Sequence, residues 1–430
     1  LKILGIDIGT TGICGVITDT ESGEMLRSLT RKNASFISSD NEFERIQDAD
    51  SIFDIVFGII DELFDEDVSA IGFSGQMHGI LYTNETGKAL SPLYIWQDQR
   101  GAKEYKDGKT FAEYLGCFPG YGLATDLYNE ANGLIPEDAA FLCTIADWIV
   151  MRLCELDTPV VHITNAASLG AFDVKNNKFR IDNARLPEVT TEFKVAGEYR
   201  GVPVAVALGD NQASFIGSVR CADYALVNVG TGSQISFLID DFAEIEGVEL
   251  RPFDGKRFLC AGCSLCGGRA FAMFEKFCKE IASLSGADID NFYPVLDKIL
   301  ENKSESEIKA DCRFCGTRKD PAVKGGYFGI TENNFNVAEF AFATLEGIAD
   351  ELFGFYKASG VTKNAVVCSG NGIRKNPVLC RIVENMFKAE IKLPCYEEEA
   401  AFGAALSAAV AVGEFGSIDE ACSIIKYRGD

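Results

Sequence analysis

Ala225-Leu226-Val227-Asn228-Val229-Gly230-Thr231-Gly232-Ser233-Gln234-Ile235-Ser236-Phe237-Leu238-Ile239 is the stretch whose reading decides the fold. Ala225 to Val229 and Gln234 to Ile239 suit two strands, with Gly230-Thr231-Gly232-Ser233 as the tight turn between them. The same plan stands near the other end of the chain. Lys2 to Ile8 reads as a buried strand, Gly9-Thr10-Thr11-Gly12 as a turn, and Ile13 to Thr18 as a second strand. In such a hairpin, backbone N–H groups and threonine hydroxyls can donate to phosphate oxygens, and the glycines let the backbone come close. Either hairpin alone is also compatible with an ordinary turn. A second echo strengthens the first. Ile71 to Gln76 reads strand-Ser-Gly-Gln, and Ala365 to Asn371 reads strand-Ser-Gly-Asn. Two echoes in the same order predict two related domains facing one another. The second interval is the longer, and its surplus is assigned to the cysteine-bearing region from Arg251 to Gly326.

Composition narrows the classes. A chain of 430 residues, 47% hydrophobic and 24% charged, is globular and long enough for two or three domains. A net charge of -24 argues against a nucleic-acid partner. No apolar run is long enough for a membrane span. Leu1 to Asp7 is too short and too acidic for a signal peptide, so a cytoplasmic location is expected. The fifteen cysteines are then expected as free thiols. Cys260, Cys263 and Cys266, with Cys312 and Cys315, have spacings seen in metal sites. Their glycine and small-residue surroundings favour packing as small hydrophobes instead.

Several polar groups fall at strand ends. Ala207-Leu208-Gly209-Asp210-Asn211-Gln212-Ala213-Ser214 follows an apolar run and puts Asp210 where a general base facing a cleft would sit. Gly-Asp-Asn is also plain turn chemistry. Asp7, at the rim of the first hairpin, could hold the water shell of a metal ion. Ser74-Gly75-Gln76-Met77-His78-Gly79 ends another strand and carries one of only two histidines. Gln76 and His78 between glycines suit a polar small-molecule site. In Trp96-Gln97-Asp98-Gln99-Arg100, an aromatic ring and a carboxylate suit sugar recognition. Asp98 as the N-cap of a helix Arg100 to Lys106 is the competing reading. Ala140 to Leu156 is expected as one helix. Ser369 to Pro377 is a glycine-rich strand-to-helix turn able to admit a flat ring or a phosphate, with Arg374 and Lys375 as candidate counter-charges. Glu397-Glu398-Glu399 is expected to cap the small-residue helix Ala400 to Val412.

Five segments, Asp7 to Thr11, Ser74 to Gly79, Trp96 to Arg100, Gly209 to Ala213 and Ser369 to Pro377, resemble in order the motifs of the FGGY carbohydrate kinases. The likeness spans nearly the whole chain. Ser-Gly-Gln-Met-His-Gly is similar to the xylulokinase and sedoheptulokinase branches, and the run Gly370 to Pro377 to sedoheptulokinases. The chain departs from the family at Thr11-Gly12-Ile13-Cys14, where a Ser and then a Lys are usual, and at Cys266, where an Asn is expected. The resemblance implies an α/β protein of two actin-like (ribonuclease H-like) domains with a cleft between them. Residues 1–206 would be the sugar-binding half and 207–430 the ATP-binding half. It implies a phosphotransferase that uses ATP and Mg²⁺ on a ketose, with sedoheptulose first and xylulose or another pentulose as the alternative. Asp210 would be the catalytic base. Gln76, Met77, His78, Asp98 and Asn211 would bind sugar. Thr10, Thr11, Gly230, Thr231, Gly370, Asn371 and Asn376 would bind nucleotide, and Asp7 the metal. A homodimer is one open option. A non-catalytic sugar sensor and an actin-like or chaperone ATPase are the readings from other classes.

Overall fold

The computed structural model describes residues 1–430. Apolar runs bounded by turns form the strands Lys2–Ile8 (β1), Gly12–Asp19 (β2) and Glu24–Lys32 (β3). Helix Ala49–Leu63 (α1) starts where the Asp48 side chain accepts from Ser51 N–H, and it buries Ile52, Val56, Ile59, Ile60 and Leu63. Each such side chain contributes roughly 1.5–3 kcal/mol by leaving water. The chain then enters Val68–Gly75 (β4), parallel to β1. Val195–Tyr199 (β5), Val202–Ala205 (β6) and Leu208–Gly209 (β7) follow. The first sheet has the order β5-β6-β4-β1-β2-β3, with β7 paired to β4.

Helix Asp210–Ser218 (α2) leads to the strands Tyr224–Val229 (β8), Ser233–Ile239 (β9), Val248–Pro252 (β10) and Phe258–Ser264 (β11). Helices Gly267–Leu284 (α3) and Val337–Ala358 (α4) precede the strand Ala365–Ser369 (β12). Helix Pro377–Phe387 (α5), strand Glu390–Lys392 (β13) and helix Glu399–Ala411 (α6) follow. The second sheet has the order β10-β11-β9-β8-β12-β13. In each half an antiparallel hairpin, β1–β2 or β8–β9, is extended by a third antiparallel strand, β3 or β11, and a strand parallel to the first, β4 or β12, lies on its other side; β10 adds a fourth antiparallel strand in the second half. The two hairpins noted in the sequence occupy equivalent places, β1–β2 and β8–β9.

Three local expectations change. The surplus of the second half begins at Gly267, not Arg251, because Val248–Pro252 and Phe258–Ser264 belong to the sheet. The small residues of Leu259-Cys260-Ala261-Gly262-Cys263 hide the strand signal. Between Ala140 and Leu156, Phe141–Cys143 pairs with Leu81–Thr83, and the helix starts only at Ile145 under a Thr144 cap. After Asp98 there is one 3-10 turn, Arg100–Ala102, and then a short strand Glu104–Lys106.

The halves join where α2 crosses α6. A Cβ on Gly217 would lie 1.9 Å from the Glu399 carbonyl oxygen, and one on Gly403 would lie 1.9 Å from that of Ala213. The crossing brings backbone against backbone, which explains the alanine and glycine content of α6. That helix also lies on β1 and β4, so a helix from the C-terminal end of the chain covers the first sheet. All fifteen cysteines are free; Cys260, Cys266 and Cys312 are core residues of the second half. No group of three or more His, Cys, Asp or Glu side chains is placed to hold a metal ion. No helix is long and apolar enough to cross a membrane.

Candidate active site

β1, β4 and β7 run parallel and end together, with Asp7 opposite Ser74 and Leu208 opposite Ser74 on the other side. Polar groups after these ends share one space, because parallel strands point their C-terminal ends the same way. Ser74 Oγ donates to Asp7 Oδ1 at 2.8 Å. Burial pushes the Asp7 carboxyl up to about 6, against the Ser74 hydrogen bond, and the charge of Glu398 adds to the rise. Asp210 opens α2 directly after β7. Its carboxyl is pushed up to about 7, first by burial and then by the Asp7 charge, while Arg251 and the Asn211 N–H oppose the rise. A carboxyl whose proton affinity is raised by burial and by a neighbouring acid is what a general base near neutrality needs.

Thr10 is less free than its sequence suggests. Its hydroxyl donates to Gln76 Oε1 at 3.1 Å and accepts from Trp96 Nε1 at 3.0 Å. Gln76 Nε2 in turn donates to Gln47 Oε1, and Gln47 Nε2 donates to the Thr10 carbonyl. Gln76 is thus a buried brace of the hairpin, with both ends of its amide engaged. Thr11 is exposed at the tip. Met77 is buried, with its thioether against Gly209.

His78 sits at a φ of 74°, a strained value for a side-chain-bearing residue. It stacks on Tyr121 with ring centroids 4.2 Å apart. Its Nδ1 lies 2.8 Å from the Ser168 carbonyl oxygen. A carbonyl only accepts, so Nδ1 carries the proton and Nε2 presents a lone pair. Burial first, and then the Arg251 charge, lower its pKa to about 4, so the ring is neutral at pH 7. Asn211 Oδ1 is buried and has no partner within the protein, which leaves it open to a ligand.

Asp98 is the departure among the sugar candidates. It is fully buried, and Oδ1 accepts from Arg100 N–H and Nε while Oδ2 accepts from Arg45 N–H and Arg100 Nη2. A carboxylate so engaged holds the Trp96–Arg100 turn together and has no oxygen left for a sugar hydroxyl. Arg100, itself paired to Glu44 and Asn129, was the signal that could have shown this.

The nucleotide candidates gather at the equivalent end of the second sheet. Thr231 is exposed at the β8–β9 turn. That turn is braced by the start of α3: Gly268 N–H donates to the Gly230 carbonyl and Arg269 N–H to that of Thr231. Gly370, at a φ of 83°, follows β12, and a Cβ there would meet the Val229 carbonyl and Asn228 Oδ1. Asn371 is exposed next to it. Asn376 is a helix cap, its Oδ1 accepting from Leu379 N–H at 2.9 Å. Arg374 is not free to answer phosphate charge, since its guanidinium is tied to Glu399 and the Tyr396 carbonyl. Glu398 precedes α6 but makes no side-chain cap. No hydrogen bond links this group to Thr10 or Thr11.

Sequence reading missed three residues between the halves. Tyr121 OH donates to Glu249 Oε1 at 2.9 Å, and Arg251 Nη2 donates to Glu249 Oε2 at 2.7 Å. Glu249 and Arg251 are two apart on β10 and so face the same way. A cavity of about 210 Å³ lies here, lined by Met77, His78, Tyr121, Thr164, Arg251 and Pro252 among others. A larger cavity of about 730 Å³, between β10, β11 and α4, shares Phe118 and Glu249 with it and is lined by neither Asp7 nor Asp210.

For a divalent cation, Asp7 and Asp210 offer hard carboxylate oxygens and too few of them for a full cage. That suits Mg²⁺, which keeps most of its waters. For a nucleotide, exposed Thr11 and Thr231 and the backbone of the two glycine turns supply donors.

Comparison with known proteins bears on these sites. The N-terminal domain of the FGGY family of carbohydrate kinases matches residues 2–113, and its C-terminal domain matches residues 308–412. The chain is 26% identical to the sedoheptulokinase of Mus musculus over 466 aligned positions, covering 94% of this chain and 96% of that one. It is 24% identical to a glycerol kinase of Alteromonas mediterranea, covering 97% and 92%. Among solved structures, a ligand-bound xylulose kinase from Lactobacillus acidophilus superposes with a TM-score of 0.85 at 20% identity, covering 99% and 92%. The ADP complex of Plasmodium falciparum glycerol kinase gives 0.80 at 16%, covering 98% and 92%. The architecture is that of two actin-like domains.

Proposed function

The chain belongs to the FGGY family of carbohydrate kinases, phosphotransferases with an alcohol acceptor, and from that premise we propose that it phosphorylates a terminal primary hydroxyl of a ketose. Sedoheptulose is the first candidate, supported by the two sedoheptulokinases at 24 and 26% identity. Xylulose or another pentulose is the alternative, since the motif Ser74 to Gly79 is similar to both the xylulokinase and the sedoheptulokinase branches. ATP is the donor in this reading, with residues 1–206 binding sugar and 207–430 binding nucleotide.

One observation carries the mechanism: Asp210 opens a helix at a strand end beside Asp7, with its carboxyl near 7. Asp210 accepts the proton of the attacking hydroxyl. Asn211 Oδ1 and His78 Nε2 accept from neighbouring hydroxyls and fix the sugar's orientation. Thr11 and Thr231, with the backbone of both hairpins, donate to phosphate oxygens. Gly370 and Asn371 border the base of the nucleotide. Asp7 would hold Mg²⁺, which when bound would neutralise charge on the transferring phosphoryl group. Phosphoryl transfer asks for positioning and charge stabilisation rather than covalent chemistry, and these residues supply both.

A coupled assay of ADP release across ketoses of five to seven carbons and glycerol is the test. Turnover of a ketose with glycerol far behind is expected. Turnover of glycerol alone, or none with any sugar, would remove the proposal.

A further inference from the structure

We propose that Arg251 reads the carbonyl end of the substrate, so that the pocket selects an open-chain hydroxyketone over the corresponding polyol. The inference rests on the ketose reading above and goes beyond it by naming the group that discriminates. Arg251 is only 7% exposed, lines the 210 Å³ cavity beside His78, and has a buried Nε–H without any partner in the protein. An unpaired donor in such a place is costly unless a ligand supplies the acceptor. A guanidinium only donates. His78 Nε2 only accepts, because Nδ1–H is committed to the Ser168 carbonyl. One wall of the cavity therefore offers a pure donor and another a pure acceptor. A ketone next to a hydroxyl satisfies both: the carbonyl oxygen accepts a hydrogen bond from Arg251 Nε–H, and the hydroxyl donates one to His78 Nε2.

The charge balance argues against an anionic ligand. Burial would raise the Glu249 carboxyl, but Arg251 and Tyr121 hold it down to about 2, so Glu249 is ionised and cancels the Arg251 charge. Arg318 lies 3.5 Å from the same carboxylate, and Arg180 also lines the cavity, but Arg318 is 42% exposed and Arg180 is exposed as well, so water screens both. A neutral carbonyl thus fits better than a carboxylate. The cavity also adjoins the reacting acid. Met77 and Thr164, two of its lining residues, contact Gly209, the neighbour of Asp210.

The test compares a ketose, the alditol made by reducing its carbonyl, and the aldonate of the same carbon number. Binding is measured by calorimetry without ATP, and turnover by ADP release. The wild-type protein should bind ketose over alditol and leave the aldonate unbound. Arg251→Met should lower that preference by about 30-fold through the ketose Kd and KM. Should Arg251→Met fail to fold, Arg251→Lys, which keeps the charge but not the Nε–H, should also lose the preference. Glu249→Gln uncovers the arginine charge and should admit the aldonate as an inhibitor. An unchanged ketose preference in Arg251→Met, or aldonate binding by the wild type, overturns the inference while leaving the kinase reading intact. Ketose binding without turnover overturns the kinase reading alone, and absence of ketose binding overturns both.

Discussion

The two halves solve one structural problem with different chemistry. In the first, Asp7 lies opposite Ser74 across β1 and β4, and the serine donates to the carboxylate at 2.8 Å. In the second, Asn228 lies opposite Ser369 across β8 and β12, and the amide donates to the serine at 2.8 Å. Same register, same distance, same serine: the strand end that faces Asp210 keeps an acid, and the strand end that borders the glycine turn at Gly370 carries its uncharged amide counterpart. A carboxylate beside phosphate oxygens repels them, whereas an amide does not. A carboxylate beside a second carboxylate raises the proton affinity of both and attracts a cation. The duplicated fold supplies position, and in the proposed mechanism the exchange of one oxygen for nitrogen separates the two strand ends chemically.

That contrast can be attacked in four places. The largest effect is expected at Asp210→Asn: about 10³-fold or more off kcat, with sugar binding retained by calorimetry. Near-normal turnover in this variant would remove the general base from the scheme. Asp7→Asn makes the first half resemble the second. It should cost about 10²-fold in kcat and raise the Mg²⁺ concentration needed for half-maximal rate.

The same variant has a pH signature. Asp210 works as a base only when ionised, so with its carboxyl near 7 the rate should climb through about pH 7 in the wild type. Removing the Asp7 charge takes away one cause of that raised value, so the acid limb should move to lower pH. A limb that stays in place, or moves up, would show that the two carboxyls do not communicate.

His78→Ala tests the first half's share in holding the sugar. A rise of about tenfold in sugar KM is expected with ATP KM little changed. The reverse split would move His78 out of the sugar site. The smallest effect is expected at Asn228→Asp, which gives the second half the acid of the first. ATP KM should rise about fivefold, less at high salt, with sugar KM unmoved. An ATP KM that does not respond would place the nucleotide away from this strand end.

Much of this could be read before any coordinates. Glycine-threonine turns between apolar runs announce hairpins because few residues tolerate those turns, and the order of the echoes announced a duplicated fold. The positions of Asp7, His78 and Asp210 at or just after strand ends were legible because apolar runs and the polar turns after them are local signals. Asp98 was misread since Trp-Gln-Asp-Gln-Arg suits a sugar contact and a salt bridge equally well, and Arg100 is a partner two residues away. Gln76 and Asn376 carried the right residue types, yet their amides brace a hairpin and cap a helix.

By itself the sequence determined the periodicities, the duplication, the turns and the acids at the strand ends, because these depend on near neighbours along the chain. Only the tertiary structure decided which carboxylate is free and which is spent, and that Tyr121, Glu249, Arg251 and His78 meet across the two halves. The physical reason is that a hydrogen bond or an ion pair is made by whichever groups packing brings within about 3 Å, and packing joins residues whose separation along the chain carries no local signal.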